Sequence, residues 1–135
     1  MNAELVNIGG FADRDLRGLD RWQYRTEADV PYTTVFSTTN VGTPTYKLRW
    51  RLVGKQCFFQ ASIDSSTSIA TTAGASYMVL PVTAAGITGM AVMSDAATGI
   101  AIGTCHINVT LSRCYLPTQG ASANQMHITG WFEVA

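Results

Sequence analysis

Charge is what this sequence has least of. Only 13% of its residues are charged, about half the share usual in a soluble domain. A chain this poor in charge covers its surface with Ser, Thr, Ala and Gly, or hides part of that surface against other copies. The nine acids and nine bases cancel, so no global field draws in nucleic acid or a membrane. Long apolar runs are missing as well. None reaches the roughly 18 residues that a membrane span needs. The first residues, Met1 to Glu4, have neither the basic stretch nor the apolar run of a signal peptide. No Gly-Lys-Ser/Thr phosphate cradle and no dinucleotide fingerprint is present. Three cysteines, Cys57, Cys105 and Cys114, are an odd number at spacings that match no metal motif. They read as buried thiols acting as small hydrophobes in a reducing cytosol.

What is there begins with a hairpin at residues 45–63. Tyr46, Leu48, Trp50 and Leu52 alternate with Lys47, Arg49 and Arg51. A period of two puts the apolar set on one face of a strand and the cations on the other. Gly54 and Lys55 follow as a two-residue turn with Gly first, the order a type II′ turn requires. The returning arm sets Cys57, Phe59, Ala61 and Ile63 against Phe58, Gln60 and Ser62. Trp50, in mid-strand on the apolar face, is expected in the core.

At 135 residues the chain is one domain with one modest core. Residues 31–135 read as a β-domain and residues 1–30 as a charged docking arm. The arm carries six of the nine acids and four of the nine bases. Its apolar members include Phe11, Leu16 and Trp22, interleaved with Arg14, Arg17 and Arg21. These six are the expected partner-binding residues, with the anchors supplying affinity and the charges setting register. The arm docks on its own domain or on a neighbouring subunit. The cationic strand face of Lys47, Arg49 and Arg51 is then the expected partner for the acids of residues 13–29. The alternative use of that face, nucleic-acid binding, would need aromatic rings beside the cations, and Tyr46 and Trp50 point the other way.

Further strands are expected at 30–37, 77–82, 87–93, 100–104, 107–111 and 126–134. Residues 64–76 and 118–124, rich in small residues, read as loops, and 95–99 as a turn. In the last strand Met126, Ile128, Gly130, Phe132 and Val134 share one face, while His127, Thr129, Trp131 and Glu133 share the other. An apolar face of that kind is expected to be held inside the sheet. Seven or eight short strands with Gly-rich turns and no convincing helix predict an all-β fold, a single jelly-roll-like β-sandwich with an N-terminal charged arm.

Catalytic constellations are scarce. His106 and His127 are the only histidines, and His106 next to Cys105 on a strand must face away from it. Asp64 and Asp95 read as turn residues. The expectation is no enzyme, no catalytic or metal site and no cofactor.

Together these motifs carry a resemblance. Trp50, Arg51 and Gly54 stand at the spacing of a W-R-x-x-G-N hairpin, with Lys55 in place of the Asn. Leu80-Pro81 and the closing Ile128-Thr129-Gly130-Trp131 follow in order. Residues 45–134, about two-thirds of the chain, thus resemble the β-sandwich modules of tailed-bacteriophage virion proteins. The resemblance implies a jelly-roll-like module on the outside of a virion, usually a homotrimer, assembled in the host cytoplasm. About forty residues precede the module, with no repeats or heptads, which favours a small capsid decoration (cement) protein. Its partners would be the major capsid protein or other virion subunits, with neither membrane nor nucleic acid bound. The alternative is a short fibre or tail-tip receptor-binding protein, with a host-surface glycan as partner. A carbohydrate-binding module is a third reading, with Trp131 and Tyr115 or Tyr77 supplying its rings.

Overall fold

A computed structural model describes residues 23–25, 44–64 and 68–135. The strand expected at 30–37 lies outside them. The described residues form ten strands and no helix, so the fold is all-β as the periodicity requires. In chain order they are β1 (Gln23–Arg25), β2 (Thr45–Val53), β3 (Gln56–Asp64), β4 (Ile69–Thr71), β5 (Tyr77–Val79), β6 (Ala84–Asp95), β7 (Ala101–Asn108), β8 (Arg113–Tyr115), β9 (Gln119–Ser122) and β10 (Met126–Val134). Eight make one antiparallel sheet in the order β1-β2-β3-β10-β6-β7-β8-β5, and β4 pairs with β9 in a second sheet of two.

The hairpin forms with the expected register. Val53 pairs with Gln56 across the turn and Thr45 with Asp64 at the far end. Gly54 has φ +58, a value that an L residue reaches only with strain. Lys55 stays out of the left-handed region, which makes the turn type II′. Beyond the hairpin, β1 pairs with the free edge of β2, Gln23 opposite Trp50. Three residues of the stretch read as an arm are therefore strand, joined to this chain's own sheet.

At 64–76 and 118–124 the small residues are the reason that sequence and structure differ. Residues 64–76 and 118–124 carry no apolar alternation, yet part of each is strand. Ile69 pairs with Ser122 and Thr71 with Gln119, and β4 is buried throughout. Thr71 donates its hydroxyl to the Pro117 carbonyl at 2.6 Å, which satisfies a polar group that burial would otherwise penalise. The two strands expected at 100–104 and 107–111 are one, β7, because the alternation runs on through buried Cys105 and Ile107 and exposed Thr104 and His106. Residues 109–112 turn back into β8, a strand that its three residues are too few to signal.

The core lies on one face of the large sheet. Phe59 and Phe132 are fully buried with ring centroids 5.9 Å apart and tilted by 56°. Each contributes roughly 1.5–3 kcal/mol by burial. Leu48, Ile63, Met93, Met126 and Ile128 join them, as do Met78, Leu80 and Leu116 from the other end of the sheet. Strands from both ends share one cluster, so the sheet curls around it. Trp50 packs against this cluster but stays half-buried.

β10 holds the centre, paired with β3 on one side and β6 on the other. At Gly130 the approach of β6 leaves no room for a side chain. A Cβ there would lie 2.4 Å from the Met90 carbonyl oxygen and from the Ala91 Cβ. We expect Gly130→Ala to cost about 3 kcal/mol, the upper end for an overpacked site, and to lower Tm by about 10 °C. Thermal melting of the variant beside the parent checks this, and an unchanged Tm would contradict the close approach.

Candidate functional site: the outer face of the sheet

The face opposite the core carries the chain's exposed chemistry. Period-two alternation sends Lys47, Arg49 and Arg51 outward from β2, as expected. Each has a partner on β3. Lys47 Nζ lies 3.1 Å from Asp64 Oδ2, an exposed pair worth little in water. Arg49 donates from Nε to Gln60 Oε1 at 2.7 Å and also from Nη2 to the same oxygen. The Arg51 guanidinium sits over the Phe58 ring, 5.8 Å from its centroid. The acids of residues 13–29 lie outside the described residues, as do Phe11, Arg14, Leu16, Arg17, Arg21 and Trp22.

The cations' face does carry aromatic rings. Tyr46 and Trp50 do face inward, but the rings on this face come from other strands. Arg51 pairs with Phe58, Phe58 with Trp131 and Trp131 with Met90. Continuing the Ala91–Cys105 register by one place sets Met90 against His106. His106 pairs with Tyr115, and Tyr115 with Tyr77. One level of the ladder thus carries a cation, a thioether, an imidazole and four aromatic rings across seven strands. Reading one strand at a time cannot reveal it, because the row exists only once the register is known.

At its β5 end the row tightens. The Tyr77 and Tyr115 rings are 5.3 Å apart at 52°, and His106 lies 6.3 Å from Tyr115. Arg113, two residues before Tyr115 and so on the same face, places its guanidinium 4.1 Å from the Tyr77 centroid. His106 is exposed, while Tyr77, Tyr115 and Arg113 are half-exposed.

Nucleophiles and bases lie on opposite faces. Cys57, Cys105 and Cys114 are free and buried, whereas His106 and His127 are exposed. Burial pushes the Cys57 thiol up to about 12. Cys114 is pushed well above its ordinary value by its hydrogen bond with Cys105 and then by burial. Thiols held neutral in this way are poor nucleophiles. Among the described residues, no three of His, Cys, Asp and Glu gather closely enough to hold a metal ion.

Asp64 and Asp95, expected as loop residues, are instead the last residues of β3 and β6, because each pairs with a neighbouring strand; Asp95 organises the turn that follows it. It accepts from Asn124 Nδ2 at 2.7 Å and from the Ala97 and Thr98 amides. The Asn124 bond, followed by the amide bonds, outweighs desolvation and holds its carboxyl below the usual value. Asp64 accepts from Gln125 Nε2 as well as pairing with Lys47. The two acids therefore tie the 122–125 turn to β3 and to the end of β6.

Two outcomes are expected. In the native chain a thiol reagent should label none of the three cysteines within minutes and all three in guanidinium chloride, and fast labelling of the native chain would contradict their burial. Asp95 has a depressed value in the fold, so its contribution is present above the unfolded value near 3.9 and fades as pH falls below it. A plot of Tm against pH should therefore drop less steeply below about pH 4 in Asp95→Asn than in the parent. Comparison of the chain with protein families, with characterised proteins and with solved structures finds no match.

Proposed function

We propose that the chain is a non-enzymatic structural protein of a virion surface, a jelly-roll-like capsid decoration (cement) protein that self-associates as a homotrimer on the particle. The observation that carries this reading is the apolar surface left open along β6. Ile87 is 95% exposed and Met90 56%, with Val92 also exposed. Met90 and Val92 lie on the outer face of β6, and Ile87 lies in its irregular stretch between Ala84 and Gly89; exposed large apolar side chains grouped in this way mark a contact surface. The low charge content of the sequence supports the same conclusion, as does the resemblance of the hairpin and closing strand to phage virion modules. The partners beyond the second and third copies are the major capsid protein or other virion subunits. A short fibre or tail-tip receptor-binding protein is the second reading, favoured by the aromatic row.

Light scattering at micromolar concentration should give a mass near three times the 14.5 kDa of one chain. Ile87→Asp combined with Met90→Asp should reduce it to one, with little change in Tm because both side chains are exposed. A stable monomer of the parent chain would overturn the reading. Imaging of whole particles then separates shell from tail.

A further inference from the structure

We propose that the outer face of β5, β8 and β7 binds a saccharide bearing a carboxylate, with Tyr115 as the stacking surface and Arg113 as the carboxylate's partner. The proposal goes beyond the decoration role and does not require it.

Tyr77, Tyr115 and His106 stand at one level on adjacent strands, with ring spacings of 5.3 and 6.3 Å. β5 is the last strand of the sheet among the described residues, so the cluster lies at the end of the sheet. A pyranose ring offers an apolar C–H face and a rim of hydroxyls. Half-exposed Tyr115, flanked by an imidazole and a second phenol, supplies a ring face with hydrogen-bonding groups on both sides. No hydrogen bond or ion pair to the described residues occupies the Tyr77 and Tyr115 hydroxyls, the His106 nitrogens or the Arg113 guanidinium.

Arg113 decides the charge of the ligand. Its guanidinium is held 4.1 Å above Tyr77, which leaves its N–H edges free to take a carboxylate in bidentate fashion. The tyrosines, His106 and Arg113 include no acid, so charge complementarity points to an anion. A nucleic-acid strand would need a succession of cations to follow its phosphates. This cluster has one arginine, and the chain's formal charge is zero. One anionic group next to one sugar ring is the match.

The test uses the full chain. A printed array of sialylated, uronic-acid and neutral oligosaccharides identifies the acidic sugar. Calorimetry with sialyllactose or an oligoglucuronate, whichever the array selects, is then set beside its neutral counterpart. The acidic sugar should bind about tenfold tighter, the ratio one charge-assisted contact gives. Arg113→Gln should bring the two affinities together, Tyr115→Ala should abolish binding, and Tyr115→Phe should retain most of it. The phenylalanine variant keeps the test valid if the alanine variant fails to fold. An array with no acidic binder would overturn the proposal, as would equal affinity for acidic and neutral sugars in the parent. Preference for a single-stranded oligonucleotide would also overturn it. So would a silent array together with a fall in light-scattering mass on Tyr115→Ala, which would make this face a contact between copies. Loss of trimers in the β6 variant with sugar binding intact would separate this site from the decoration role.

Discussion

The structure depends on seating β10 between β3 and β6. That contact requires Gly130, because the neighbouring backbone comes within 2.4 Å of where a Cβ would stand. With β10 in place, Phe132 reaches Phe59 and the two rings close the middle of the core. Ile128 and Met126 extend that core along the strand, all fully buried. Removing β10 would leave β3 and β6 without their shared partner, and the two halves of the large sheet would separate.

The same strand separates stability from recognition. Its inward residues fill the core, while His127, Thr129 and Trp131 join the outer face. Along that face the side chains change from cations over β2 to aromatic rings over β8 and β5. The cations at one end are engaged locally by Asp64, Gln60 and Phe58. At the other end Arg113 has a ring beneath it, and this leaves its donors open to a ligand. The centre is apolar and exposed at Met90 and Val92, a surface suited to a second copy. On this account one curled sheet carries an assembly surface and a ligand surface side by side.

Much of the fold was legible in the sequence because its signals are local. Alternation in 45–63 and 126–134 gave the faces of β2, β3 and β10, and Gly54 gave the turn. The opposite facing of Cys105 and His106 also followed from their adjacency. Three features were not legible, each for a physical reason. β4 and β9 are built of small residues whose strand character comes from pairing with each other. β7 reads as two strands in the sequence because Cys105 and His106 between its apolar ends look like a break. The aromatic row crosses seven strands, so its members are far apart in sequence and only the register assembles them. The two-residue turn already sets Phe58 opposite Arg51, but nothing local showed that Trp131 stands next in the row.

Amide hydrogen exchange on the intact chain tests the organising role of β10 most directly. An opening that frees β10 must break ladders on both sides, whereas among the described residues β5 is hydrogen-bonded to one neighbouring strand, β8. The account predicts the slowest exchange at residues 128–132, at rates close to those of global unfolding, and much faster exchange at Tyr77–Val79. Exchange at residues 128–132 as fast as at the β5 edge would contradict it.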